Sequence, residues 1–232
     1  MKQIITQHGW GLDKNFWEDY KVDFLNNNWH WQDNERGYFS KKNFQSKWIK
    51  SNSKNEIKMA LCHSYGFHLI QKKILKEATH IVLINSFNNF LPLSNKRNFI
   101  LKSLKRMETK IIKKATKEML KEFIYRSFMP NDININFKNI FYKSLDGLNQ
   151  KLLLNDLRKL YSDRNSPEFS NKDCKVIFIK SENDLVLAKD SNNNFFELLS
   201  KKLHNKPILI KLTNQGHCLT NLNLYQTIIK KL

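Results

Sequence analysis

The chain has few cysteines and no long apolar run. No apolar stretch approaches the eighteen or so residues of a membrane span, and the start, MKQIITQHGW, lacks the apolar core of a signal peptide. Cys62, Cys174 and Cys218 are too few and too widely spaced for a disulfide framework or a CxxC zinc module. We therefore expect a soluble cytoplasmic protein with reduced thiols, no metal, no cofactor and no membrane partner.

Arginine is also scarce in a chain that is strongly basic. Lys+Arg number 40 against 21 Asp+Glu, a net charge of +19, yet only six of the forty are arginine. A basic surface attracts nucleic acid, but no nucleic-acid-binding motif is visible, and biased nucleotide composition also produces chains rich in lysine and asparagine. The charge predicts solubility and acidic partners, and we expect no nucleic acid.

Short β-branched runs alternate with segments of helical periodicity. A length of 232 residues with 41% hydrophobic content fits one domain, with a monomer as the simplest state. Strands that alternate with helices pair in parallel and are covered on both faces. The sequence therefore predicts an α/β fold with a mostly parallel sheet and these strands: 4–6, 29–32, 57–62, 81–85, 176–179 and 208–212. Apolar residues at helical spacing predict these helices: 13–25, a single helix that follows the turn 63–66, one near 195–203 and a last one from about 221.

The pattern changes between residues 87 and 167. Apolar residues recur there at helical spacing, and 17 Lys+Arg stand against 7 Asp+Glu. We predict a core of residues 1–86 and 168–232 with a helical insertion, 87–167. Phe99, Phe123 and Phe128 would either pack as core or line a channel.

Glycine is rare as well, so its positions are informative. Six glycines are present, where average usage predicts roughly sixteen. Four of them, Gly9, Gly11, Gly66 and Gly216, follow predicted strands, where the backbone must turn sharply.

The segment LCHSYGFHL has the pattern of a nucleophile elbow, in which a serine projects from a tight turn between strand and helix. Ser64 is the candidate nucleophile. In the usual G-x-S-x-G pattern both flanking positions are glycine, whereas Cys62 stands at the first of them here.

A serine nucleophile needs a base and an acid that orients it. His217 follows the last predicted strand in NQGHC, whereas His63 adjoins Ser64 and is expected to point away from it. Asp184 follows the preceding strand in KSENDLVL, with Glu182 as the alternative. The order serine, aspartate, histidine, each after its own strand, is that of an α/β-hydrolase. Backbone N–H groups of Tyr65 and Trp10 would form the oxyanion hole.

These residues give the chain a resemblance to the α/β-hydrolases. The opening QHGWGLDKNFW is similar to a stretch of the biotin-pathway esterases that demethylate pimeloyl-acyl-carrier-protein methyl ester. The resemblance implies that Ser64, Asp184 and His217 act as nucleophile, acid and base. Substrate would contact Trp10, Ser64, Tyr65 and His217, and residues 87–167 would form a lid. Since the chain is shorter and has Cys62 at the elbow, the resemblance points to a divergent, cyanobacterial-type member.

An acidic acyl carrier protein would explain the basic insertion. The candidate docking residues are Arg97, Lys102, Lys105, Arg106, Lys110 and Lys113. A solvated helical face with biased composition is the alternative. A general carboxylesterase, an acyl thioesterase and a non-catalytic protein that binds acidic partners are the alternative functions.

Overall fold

The computed structural model describes residues 1–40, 42–51, 55–162 and 171–232. The strands of the described chain are β1 Lys2–Gln7, β2 Trp29–Asp33, β3 Ile57–His63, β4 His80–Ile84, β5 Lys175–Ser181 and β6 Ile208–Leu212. The helices are α1 Glu18–Asn26, α2 Gly66–Leu69, α3 Lys72–Glu77, α4 Arg97–Ile112, α5 Thr116–Phe128, α6 Ile135–Ser144, α7 Gln150–Ser162, α8 Lys189–Lys202 and α9 Leu224–Ile229.

The six strands of the described residues form one sheet in the order β2-β1-β3-β4-β5-β6, and every neighbouring pair is parallel. Because side chains alternate along a strand, successive residues enter different layers. Leu61 faces the cluster that contains α1 and α9, whereas Cys62 faces the cluster that contains α3 and α8. The predicted α/β fold is thus confirmed, with apolar cores on both faces of the sheet.

The segment between β4 and β5 contributes α4, α5, α6 and α7, which we call the cap helices. They share a hydrophobic cluster with one face of the sheet. One polar attachment to the core lies at α7, where Asp156 accepts two hydrogen bonds from Arg36 and one from Tyr38. The predicted end of the insertion at residue 167 lies outside the described residues.

Four helix predictions were wrong in their bounds. The helix expected near 195–203 begins six residues earlier, at Lys189 of α8. The predicted helix at 13–25 begins as a 3-10 turn, Lys14–Trp17, before α1. The single helix expected after Ser64 is two helices, because Ile70 and Gln71 are extended between α2 and α3. The last helix begins at Leu224 rather than near 221, since Asn223 accepts the hydrogen bond that caps it. Among the described residues, no helix has the length and apolarity to cross a bilayer.

Candidate active site

The parallel sheet brings the chemically interesting loops to one edge. Ser64 directly follows β3, Asn85 follows β4, Asp184 follows β5 and His217 lies between β6 and α9. Since the strands are parallel, their carboxyl ends share an edge, which is where open α/β sheets bind ligands. Side chains more than a hundred residues apart in sequence therefore meet.

The backbone at Ser64 has the tight turn that the sequence predicts. Ser64 has φ of 53°, a left-handed conformation that is costly for a residue with a side chain. Gly66 begins α2 so close to β1 that a Cβ there would lie 2.3 Å from the carbonyl oxygen of Gln7. Cys62 is buried in the opposite core layer, where burial raises the pKa of its thiol. A neutral thiol facing away leaves Ser64 as the candidate nucleophile on this turn.

Ser64, His217 and Asp184 form one chain of hydrogen bonds. Ser64 Oγ lies 2.8 Å from His217 Nε2, and Asp184 Oδ2 lies 2.7 Å from His217 Nδ1. A carboxylate only accepts, so His217 donates through Nδ1–H and its Nε2 lone pair faces the serine hydroxyl. The arrangement is that of a hydroxyl with a base in reach and an acid that orients the base.

Asp184, rather than the alternative Glu182, contacts the histidine. The second oxygen of Asp184 accepts hydrogen bonds of 2.8 Å from the backbone N–H groups of Val186 and Leu187. These bonds hold the carboxylate so that its first oxygen faces His217. Glu182 is exposed, and in the described structure its side chain makes no hydrogen bond to His217.

Two further polar residues hold the loop of His217, and sequence reasoning missed both. His63 Nε2 donates to the carbonyl oxygen of His217 at 2.9 Å, and Asn85 Nδ2 donates to the same oxygen at 2.8 Å. The side chain of Asn85 also pairs with the backbone N–H and hydroxyl of Ser181. His63 therefore faces the site instead of pointing away from it. The only sequence signal for Asn85 is a polar residue ending an apolar strand.

The surroundings of His63 favour a neutral imidazole. Burial, followed by the neighbouring His217, lowers the pKa of His63 well below its usual value. Because Nε2–H is the donor, Nδ1 carries the lone pair, and this atom has no partner in the described structure.

The loop of His217 also packs on the cap helices. Gly216 lies so close to the end of α5 that a Cβ there would be 2.3 Å from the carbonyl oxygen of Met129. The next contact is a hydrogen bond of 2.8 Å from the N–H of Cys218 to the carbonyl oxygen of Ser127. Movement of α5 would therefore be transmitted to the histidine loop.

Trp10 links the first strand's loop to the cap helices. Its indole N–H donates to the carbonyl oxygen of Leu153 at 2.9 Å, and its ring packs edge-on against Phe123. In the described structure the backbone N–H of Trp10 makes no hydrogen bond to protein. Trp10 and Tyr65 both line the cavity that contains Ser64.

This cavity has a volume of about 350 Å³ and opens between the sheet edge and the cap helices. Its wall combines Ser64 and His217 with apolar side chains, chiefly Phe90, Leu104, Met107, Met119, Phe123, Leu157 and Leu160. Phe99 lines it too, at 68% exposure. Phe128, the third predicted aromatic, is instead buried against Phe137, because five residues of helix separate it from the face of Phe123.

The predicted docking residues fall on α4 and its C-cap, but they are not equivalent. Lys105 contacts Glu108 and Tyr161, and Lys110 pairs with Glu122 of α5 at 2.6 Å. The side chains of the other four have no hydrogen-bond or ion-pair partner among the described residues: Arg97, Lys102, Arg106 and Lys113. Within the described residues, no group of side chains has the arrangement of a metal site.

Comparisons with known proteins show the fold. No protein-family model matches the chain, and no curated protein is similar to it in sequence. An esterase from Exiguobacterium antarcticum superposes with a TM-score of 0.69 at 13% identity, covering 99% of this chain and 90% of that protein. An esterase from Rhodococcus sp. superposes with a TM-score of 0.68 at 13% identity, covering 99% of this chain and 88% of that protein. A bromoperoxidase from Bacillus anthracis superposes with a TM-score of 0.67 at 15% identity, with the same two coverages. The chain has the α/β-hydrolase fold.

Proposed function

We propose that this chain is a serine carboxylesterase. The hydrogen-bonded series Ser64, His217 and Asp184, of which Ser64 and His217 line an apolar cavity, carries the proposal. The structural neighbours named as esterases support the same class of reaction. Hydrolysis of an ester joined to an apolar acyl chain uses both the reactive hydroxyl and the lining of the cavity.

The reaction has two steps. Ser64 Oγ attacks the ester carbonyl while His217 Nε2 takes its proton and returns it to the departing alcohol. Water then attacks the acyl-serine with His217 again as base, releasing the acid and regenerating the hydroxyl. Asp184 keeps the imidazole in the reactive tautomer.

Charge develops on the carbonyl oxygen in both steps. The backbone N–H groups of Trp10 and Tyr65 are the proposed donors to this oxygen, and losing one such donor typically costs roughly a hundred- to a thousandfold in rate. The indole contacts of Trp10 with Leu153 and Phe123 hold its segment of backbone beside Ser64.

The proposed substrate is the methyl ester of pimeloyl-acyl carrier protein, a biotin precursor. The similarity of residues 7–17 to the esterases of that pathway supports it. So does the basic surface of α4, because acyl carrier proteins are acidic and complementary charge accelerates association. In this proposal the cap helices act as the lid, and Arg97, Lys102, Arg106 and Lys113 face the carrier.

Turnover of three substrates tests the proposal: the carrier-linked methyl ester, a simple aryl ester and a carrier-linked thioester. The wild type should prefer the first, and Ser64→Ala should hydrolyse none. Preference for the aryl ester or the thioester would instead identify a general carboxylesterase or a thioesterase. No hydrolysis of any ester by folded wild type would leave the non-catalytic reading.

A charge variant separates carrier docking from catalysis. The double change Lys102→Glu and Lys113→Glu should slow the carrier-linked ester in a salt-dependent way and spare the aryl ester. The matched control for net charge is the double change Lys72→Glu and Lys76→Glu, at exposed positions on α3. Equal slowing by the control would remove α4 from the docking proposal.

A further inference from the structure

Two arginines line the cavity, and neither has an acidic partner in the part of the chain that the structure describes. Arg106 on α4 and Arg126 on α5 both contribute to the wall that contains Ser64, and both side chains are exposed at its opening. Neither guanidinium has an ion-pair or hydrogen-bond partner among the described residues. By contrast, Arg36 and Arg158 pair with Asp156 and Glu108.

The two arginines occupy matching positions on their helices. The segment 113–115 joins α4 to α5, and the pair Lys110–Glu122 bridges them on the cavity wall at 2.6 Å. Arg106 lies one helical turn before Lys110, and Arg126 lies one turn after Glu122. Both arginines are thus one turn farther from the connection than the neutralised pair. Two arginines whose side chains have no ion-pair partner among the described residues therefore lie at matching levels of α4 and α5 on the cavity wall.

Arginine is the side chain that suits a planar anion. Its guanidinium donates two parallel hydrogen bonds to a carboxylate or a phosphate, and it remains charged at all physiological pH values. In a chain with only six arginines among forty basic residues, two on one cavity wall are a distinctive feature. The apolar interior disfavours an unpaired anion, so such a group would stay at the opening.

We infer that Arg106 and Arg126 form an anion-binding site for the end of the substrate farthest from the scissile ester. The inference rests on the proposed function, since it places the ester at Ser64 and the apolar chain along the cavity. The anion is either the terminal carboxylate of a diacid or the phosphodiester of a carrier's prosthetic arm. The substrate class is then an acyl ester with an anionic far end, rather than a neutral lipid ester.

Binding measured without catalysis tests the site. Calorimetric titration of Ser64→Ala protein with decyl phosphate, decanoate and decanol compares two anions with a neutral alcohol of equal chain length. At least one anion should bind about tenfold or more tightly than decanol, as expected for charge-assisted hydrogen bonds. Tighter binding of decyl phosphate points to the phosphodiester, and tighter binding of decanoate points to the carboxylate.

Arginine variants in the same Ser64→Ala background complete the test. Arg106→Gln and Arg126→Gln should each weaken anion binding by about tenfold and leave decanol unchanged, while Lys76→Gln, the matched charge control, changes neither. Equal affinity for the three ligands, or equal loss of all three in the arginine variants, would overturn the inference. A wild type that hydrolyses no ester would remove the proposed function but would leave this binding result valid.

Discussion

The imidazole of His63 donates a hydrogen bond of 2.9 Å to the carbonyl oxygen of His217, and the two rings lie 5.0 Å apart. The residue that precedes the proposed nucleophile is therefore joined to the backbone of the proposed base. Since this contact and the bond from Ser64 to His217 tie the same two loops, His63 is a positioning residue for the pair.

Removing the His63 contact should lower kcat more than it changes KM. We expect His63→Ala to reduce kcat by roughly a hundredfold, because small misplacements of a catalytic group have effects of that size. His63→Gln, which keeps a side-chain N–H donor, should recover part of the loss. Steady-state kinetics with thermal unfolding of each variant measures this. A loss that follows unfolding alone, without rescue by glutamine, would assign His63 to stability only.

Changing Asp184 to asparagine should leave the fold intact and reduce kcat by about four orders of magnitude. The amide would favour the tautomer in which His217 Nε2 is protonated and can no longer accept from Ser64. Glu182→Gln is the control, since Glu182 is an exposed acid two residues away. Similar losses in the two variants would mean that the hydrogen bond of 2.7 Å from His217 to Asp184 has no special part in the reaction.

The elbow should not tolerate a side chain at Gly66. A Cβ there would lie 2.3 Å from the oxygen of Gln7, a contact that requires backbone movement in β1 or α2. We expect Gly66→Ala to cost about 3 kcal/mol or more in the free energy of unfolding, within the range of severe backbone and packing changes. Chemical denaturation of Gly66→Ala, compared with that of Cys62→Ala on the strand that leads into this turn, measures the cost. A cost for Gly66→Ala below that of Cys62→Ala would contradict the close approach.

Two aspartates between β4 and β5 allow a buried ion pair to be compared with an exposed one. Asp156 has a side chain 1% exposed and accepts from Arg36, whereas Asp146 is 83% exposed beside Lys117. Breaking a buried pair leaves an uncompensated charge, so Asp156→Ala should lower the free energy of unfolding by roughly 3–5 kcal/mol. Asp146→Ala should lower the free energy of unfolding by less than about 1 kcal/mol. Equal thermal stabilities of the two variants would show that the Arg36–Asp156 contact does not attach α7 to the core.

Acid should weaken the contact between α4 and α7 over a defined range. Hydrogen bonds from Lys105, and then from Arg158 and Tyr161, lower the pKa of Glu108 from 4.5 to about 2. A carboxyl with a lowered pKa stabilises the fold above its unfolded pKa, and the contribution is lost as pH falls through the folded value. Glu108→Gln should thus be less stable than wild type at pH 7, with the difference vanishing near pH 2.

The size of the Glu108 effect should be on the order of 1 kcal/mol, because Lys105 and Arg158 are about half exposed to solvent. Urea denaturation of both proteins at several pH values gives the difference. If the difference in the free energy of unfolding between wild type and Glu108→Gln widened toward low pH, the pKa of Glu108 would not be lowered in the folded protein.

The sheet and the three loops that carry the candidate catalytic residues could be predicted, because each leaves a signal in the local sequence. Strand periodicity, scarce glycines and chain order place Ser64, Asp184 and His217 at one edge. The supporting contacts leave no such signal: Asn85 and His63 act on a backbone oxygen 132 and 154 residues away. Likewise, an aromatic at helical spacing does not reveal its partner, so Phe128 could not be told from Phe123 before the packing of α5 and α6 was known.

Labelling with a serine-directed phosphonate, followed by mapping of the modified peptide, tests the central claim most directly. The folded wild type should form one adduct, on the peptide that contains Ser64. Ser64→Ala should form none, and Ser200→Ala, a serine change on α8, should label as the wild type does. An unlabelled wild type, or an adduct that persists in Ser64→Ala, would contradict the account.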